Sequence, residues 1–305
     1  MTIIRSTLVA ILFICFCSVS SGCTKKDSSG NAVQIKGSDT EVNLVQKLAE
    51  VFMKKSPETA IAVTGGGSGT GIAALINGQT DIANSSRPFS EDEVKRAGDR
   101  GVDPVAVVFA VDALALIVNE DLPVDSLTIE DLAELFKGGI ANWSAVGGGP
   151  DAPVSLYGRQ GNSGTFMYFR ETVLKGNYAR SMKRMNGTAQ IVEAVRQDRG
   201  GIGYVGVGYV VDQQKRIVPG IKILSLRKGR GAQAVSPLSP ENVQSGLYPV
   251  SRPLYQYTNG LPRDRLLDFL KFELSPEGQA LVALEGYYPV TGQYMELNRR
   301  NGIVK

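Results

Sequence analysis

Residues 63–87 read "VTGGGSGTGIAALINGQTDIANSSR". An apolar lead that reads as a strand runs into a loop of Gly, Ser and Thr, and a helix-like segment follows. Strand, Gly-rich loop and helix together make an anion cradle, because unpaired backbone N–H groups collect at a helix N-terminus. A phosphate-hydrolysing P-loop would need Lys after the last Gly, to reach the outer phosphates. Ile72 follows Gly71, so that motif fails. A dinucleotide fingerprint is matched only loosely. A nucleophile elbow around Ser68 would need a base to activate the serine, and the chain has no histidine. An anion-holding loop without chemistry is what survives.

Two further loops share this composition. "KGSDT" (36–40) follows the first strand-like run and opens a helix; "RQGNSGT" (159–165) does the same later in the chain. For one loop, simple N-capping explains the serine: Ser38 with Glu41 has capping-box spacing. Three such loops at strand-to-helix junctions, two accompanied by Arg87 and Arg159, point instead to a shared ligand. A surface ion pair is the plainer role for either arginine. The Ser/Gly loops beside them favour anion binding.

Outward from these loops, strand-like and helix-like runs alternate. Strands are expected at 32–36, 59–64, 80–83, 104–110, 113–119, 154–158 and 201–205. Helices are expected at 40–55, 90–97, 128–137, 163–174 and 189–196, and from Pro276 behind an N-capping Ser275. Repeated alternation means an α/β architecture with helices covering a sheet. Asp112 interrupts the apolar run "VVFAVDALALIV" and reads as a turn or capping residue between two strands.

The N-terminus reads as an export signal. Arg5 precedes an apolar run from Leu8 to Cys17, and small residues lead to Cys23. This resembles a bacterial lipoprotein signal with lipid attached at Cys23, although Ser20 stands where that pattern usually has Leu. Residues 1–22 are therefore the expected signal peptide and 23–31 a flexible tether. Cys15 and Cys17 leave with the signal, so neither a Cys-His nucleophile nor an ordinary zinc site can be assembled, and neither a metal nor a cofactor is expected. A formal net charge of +3 on 305 residues, lowered by one when Arg5 is removed, is no nucleic-acid footprint.

"IKGSDTEVNLVQKLAE", the 63–88 stretch, "DLAELFKGGIANWSAVGG", "LYGRQGNSGTFMYF", "GGIGYVGVGYV" and "YPVSRPLYQYTNG" follow one another in an order that resembles the PstS-type phosphate-binding proteins of bacterial ABC importers. The resemblance spans almost the whole mature chain. It implies a two-lobed periplasmic-binding-protein fold of type II, with mixed sheets flanked by helices and the ligand in the cleft between lobes. Lobe I would comprise residues 32–111 and 251–305, lobe II residues 112–250. It implies inorganic phosphate as ligand, an ABC permease as partner, a monomeric lipoprotein on a membrane, and no catalysis. Carried over by position, the ligand residues are Ser38, Thr40, Ser68, Arg87, Arg159, Ser163, Gly164 and Thr165. Relatives place an aspartate about where Ser86 stands here, to accept the proton of phosphate and repel sulfate; Asp39 and Asp112 are the candidates to replace it. Capture of another oxyanion, such as sulfate or molybdate, stays open. So does a Ser–Lys hydrolase on Ser68 or Ser163, although the nearest lysines in sequence are Lys55 and Lys175.

Overall fold

A computed structural model describes residues 32–305. The expected signal, tether and Cys23 lie outside the described residues. β1 (Val33–Gly37) leads to α1 (Val42–Lys55), β2 (Ile61–Thr64), α2 (Ser68–Ile76), β3 (Ile82–Ser85) and α3 (Glu91–Asp99). β1 lies between β2 and β3 with all three parallel. The long β4 (Pro104–Asn119) follows, then β5 (Ser126–Thr128), α4 (Ile129–Lys137), β6 (Ser155–Arg159), α5 (Gly164–Phe169), β7 (Lys183–Met185), α6 (Thr188–Gln197), β8 (Gly201–Gly206) and β9 (Ile221–Arg227). After α7 (Pro240–Gln244), β10 (Ser251–Asn259) returns the chain to the first sheet. There α8 (Asp264–Leu274), α9 (Pro276–Leu284) and α10 (Gly292–Arg300) complete it.

β4 organises the molecule. Its first part pairs antiparallel with β10, which in turn pairs antiparallel with β3. Its second part, from Leu114, pairs with β8 and β9. Two main hydrophobic cores result. One gathers Ile35, Leu44, Leu48, Phe109, Leu254 and Phe269. The other gathers Leu116, Phe136, Trp143, Phe169, Ile191 and Tyr204. The expected break at Asp112 is absent: 104–119 is one uninterrupted strand, and Asp112 lies inside it with no solvent exposure. Val, Ala and Leu on either side fit a strand buried on both faces, and an ion pair described below satisfies the lone charge.

Local sequence sets most helix ends. Ser90 and Glu93 form the reciprocal capping box of α3, and Thr128 caps α4 through the Asp131 N–H. The Ser275 hydroxyl caps α9, with Pro276 in its first turn. The first helix departs from expectation. It begins at Val42, and the Ser38/Glu41 capping box does not form. Ser38 is drawn into the sheet end instead, its N–H donating to the Asn84 carbonyl at 2.9 Å.

Candidate anion-binding site

The three Gly/Ser loops meet. The first leaves β1, and its Gly37 carbonyl accepts from the Gly67 N–H of the second at 2.9 Å. Gly67 sits at φ 92°, a left-handed conformation that glycine adopts at no steric cost, so the loop can turn into α2. The third loop, after β6, seats on the second: the Gly69 N–H donates to the Asn162 carbonyl at 2.9 Å, and the Asn162 amide donates to the Gly66 carbonyl at 2.8 Å. Gly164 approaches so closely that a Cβ there would stand 2.3 Å from Ser68 Oγ and 2.7 Å from Ser86 Oγ. Only a residue without a side chain permits that contact. Residues around both cores thus close over one buried patch of hydroxyls.

Within that patch Thr40 Oγ1 and Thr165 Oγ1 are 3.0 Å apart, and Ser68 Oγ accepts from the Ser86 N–H at 3.1 Å. Ser163 caps α5, its hydroxyl accepting from the Phe166 N–H at 3.4 Å. α2 has no side-chain cap at its N-terminus, which carries Ser68 as its first residue. Two tyrosines fix the first loop from behind. Tyr209 donates to the Asp39 carbonyl and Tyr287 to the Thr40 carbonyl.

Each arginine of the region is paired. Arg159 is buried and donates from Nη2 to Asp39 Oδ2 at 2.5 Å and to the Asn186 carbonyl at 2.8 Å, and from Nη1 to Thr188 Oγ1 at 2.9 Å. Asp39 and Asp112 were expected as free acceptors for the ligand's proton. Both are engaged by arginine instead. Asp112 Oδ2 accepts from Arg252 Nε at 3.2 Å and Nη2 at 3.0 Å, while Oδ1 accepts from the Val207 N–H at 3.3 Å. Burial raises the Asp112 pKa, and Arg252 opposes that shift.

Arg87 departs from its expected place. Its guanidinium makes a bidentate pair with Glu93 at 2.6 and 2.8 Å and donates to the Pro88 carbonyl at 2.8 Å. It lines an outer groove of about 640 Å³ with Gly69, Thr70, Phe89 and Asn162. The structure therefore brings together Ser38, Thr40, Ser68, Arg159, Ser163, Gly164 and Thr165, but turns the Arg87 charge outward to a carboxylate of α3. Burial works to raise the Glu93 pKa, and hydrogen bonds from Arg87 and Ser90 more than offset it, so the group sits below its ordinary range.

Arg252 was missed. From β10 it donates to Thr165 Oγ1 at 3.0 Å, to Thr40 Oγ1 at 3.4 Å and to the Ser86 carbonyl at 3.2 Å, so it touches the first and third loops and the turn that follows β3. Its guanidinium lies 5.2 Å from the centre of the Tyr168 ring, within cation–π range. A signal existed. Arg252 falls in the same strand phase as Leu254 and Gln256, which are buried, and a charge in a buried phase calls for a partner. Among the described residues, no group of three or more His, Cys, Asp or Glu is placed to hold a metal ion.

A family model described as a PBP superfamily domain matches residues 24–277. The phosphate-binding protein PstS of Pseudomonas aeruginosa is 34% identical over 285 residues, covering 88% of this chain and 85% of that protein. Among solved structures, one from Clostridium perfringens with bound phosphate superposes with a TM-score of 0.75 at 29% identity, covering 86% of this chain and 100% of that one. An ABC-type phosphate transport receptor from Vibrio cholerae gives 0.66 at 26% identity, covering 85% and 100%.

Proposed function

The chain belongs to the PBP superfamily and, within it, to the PstS family of phosphate-binding proteins, and on that footing we propose that it captures inorganic phosphate outside the cytoplasm for delivery to an ABC importer. The observation that carries the reading is the convergence of three Gly/Ser loops and two buried arginines on one patch, with Thr40 and Thr165 3.0 Å apart across it. A phosphate taken out of water needs a full shell of donors, and hydroxyls, helix N-termini and guanidinium N–H groups supply them. The proposed ligand residues are Ser38, Thr40, Ser68, Arg159, Ser163, Gly164 and Thr165, with Arg252 added. Asp39 and Asp112 hold the arginines in place, and Arg87 forms the outer wall.

We read the two hydrophobic cores as two lobes, residues 32–111 with 251–305 and residues 112–250. Phosphate would enter when the lobes part and be enclosed when they meet. No catalysis is assigned. Ser163 is engaged as a helix cap, and Ser68 is hydrogen-bonded to Ser86, so neither serine has a general base as partner. The protein acts as a monomeric lipoprotein held at the membrane by acylated Cys23; a Cys23→Ala protein that still fractionates with membranes would remove the anchor. Titration calorimetry with phosphate and with sulfate tests the function itself. Phosphate should bind and sulfate should bind much more weakly. A protein that ignores phosphate, or prefers sulfate, overturns the reading.

A further inference from the structure

Behind the first anion loop lies a buried polar cluster that, Ser38 aside, the binding reading does not use. Glu41 is fully buried at the head of α1, and neither carboxyl oxygen has a protein partner. The Ser38 hydroxyl beside it has none either. Asn84 and Gln256 stand opposite each other in the β3–β10 register, and Gln256 donates to Glu273 of α8 at 3.2 Å. Both amide atoms of Asn84, one oxygen of Gln256 and one of Glu273 are also unpartnered. All other unpartnered buried side-chain atoms among the described residues are Arg87 Nε and Arg159 Nε. Orphaned polar groups in a folded interior are few, so their concentration at one place points to a role.

The charges around Glu41 define that role. The groups that act on it or feel it are Arg252 and Tyr257 of β10, Asp112 of β4, Glu273 of α8, and Tyr209 and Tyr287. Arg252 is the only cation among them, and Asp112 already accepts two of its hydrogen bonds. The two ion pairs of the cleft, Arg159–Asp39 and Arg252–Asp112, are each balanced. No countercharge is left for a further carboxylate.

We propose that Glu41 is an affinity-setting residue of the anion site: its carboxyl stays uncharged behind Ser38, and ionising it turns a charge-balanced cleft negative and expels the anion. As a neutral acid it has both a donor and an acceptor to offer, whereas the carboxylate can only accept. Burial drives its pKa well above the usual carboxylate range, against weaker pulls from Ser38 and Arg252. The neutral form therefore persists above the pH at which an ordinary carboxyl ionises, and is lost as pH rises through the raised value. Glu273 is raised by burial too, but it belongs to α8 and has Gln256 as donor, so it is the natural control.

The inference rests on phosphate being the ligand, and the test separates the two claims. Phosphate affinity is measured by calorimetry for wild type, Glu41→Gln and Glu273→Gln from about pH 6 to about pH 10, a span meant to cross the raised pKa. Dividing each wild-type value by that of Glu41→Gln cancels the titration of phosphate itself. The ratio should lie near one at the acid end and fall by about tenfold or more at the alkaline end, from like-charge repulsion in a poorly screened interior. Glu273→Gln should keep the fall. A ratio constant with pH removes the role of Glu41 alone. Wild type that binds no phosphate at any pH removes the proposed function and this role with it. Carboxyl-carbon NMR of wild type, assigned through its backbone, follows the Glu41 carboxyl without any substitution: an ionised Glu41 at neutral pH overturns the proposal.

Discussion

The same tripeptide, Ser-Arg-Pro, occurs at 86–88 and at 251–253, and the two arginines have opposite fates. Arg87 follows the end of β3, where the chain is leaving the sheet, and it pairs with Glu93, six residues on, at the start of α3. Arg252 sits inside β10, where the strand period places it among buried side chains, and its partner Asp112 is 140 residues away. Local sequence brings the first pair together; only the sheet brings the second. A motif therefore does not assign a role to its arginine. The element that carries it does.

The largest expected effect tests that contrast directly. Removing one member of a buried ion pair leaves the other charged and unpaired, at a cost of about 3–5 kcal/mol. Arg252→Ala should lower stability by that amount in denaturant unfolding and abolish phosphate binding in calorimetry, because Thr40, Thr165 and the Ser86 carbonyl lose their common donor as well. Replacing both partners, as Arg252→Met with Asp112→Leu, should recover most of the stability and none of the binding. If the double variant binds phosphate like wild type, Arg252 is a structural residue and the comparison with Arg87 collapses.

Arg159 comes next. It is as deeply buried as Arg252, but its partner Asp39 belongs to the first anion loop and is partly exposed, so the pair can rehydrate when the arginine is lost. Truncating a buried, hydrogen-bonded charge at a binding interface typically costs about 2–5 kcal/mol. Arg159→Ala should therefore weaken phosphate binding by roughly 30- to several-thousand-fold, with a smaller loss of unliganded stability than Arg252→Ala. Equal stability losses in the two variants would show that the pairs are alike and that depth, not the supporting element, decides.

What could be read from the sequence follows the same division. The α/β alternation, the capping box of α3 and the Thr128 cap of α4 depend on residues a few positions apart, and the structure has them. The three Gly/Ser loops were legible as turns because Gly and Ser mark a strand-to-helix junction. Asp112 was misread as a break, since a lone charge in an apolar run resembles a turn until the strand lying beside it is known. Arg252 was overlooked, and the Asp39–Arg159 pair not foreseen, for that reason too: each finds its partner across the sheet or the cleft. Glu41 looked like half of a capping box with Ser38, a spacing that is usually sufficient. Here Ser38 instead joins the sheet end, and the box stays open.

The smallest effect belongs to Arg87, and it has a pH signature. The Arg87–Glu93 pair is bidentate but lies near the surface of the outer groove, with its arginine side chain 12% exposed. Arg87→Ala should leave phosphate affinity within about tenfold of wild type, a change of roughly 1.4 kcal/mol or less. It should cost more than the ~1 kcal/mol of a pair open to solvent and less than the ~3–5 kcal/mol of a fully buried one, since the Glu93 side chain is only 9% exposed. Glu93 has its pKa lowered from 4.5 in the folded protein, with Arg87 as the first of the groups that lower it. A depressed carboxylate stabilises the fold above its unfolded pKa, and that contribution is lost as pH falls through the folded value. The stability gap between wild type and Arg87→Ala should therefore be full at neutral pH and close below about pH 4.5. Denaturant unfolding at neutral and acid pH measures it. A gap that widens on acidification contradicts the ion pair, and a large loss of affinity at neutral pH would return Arg87 to the ligand shell beside Arg252.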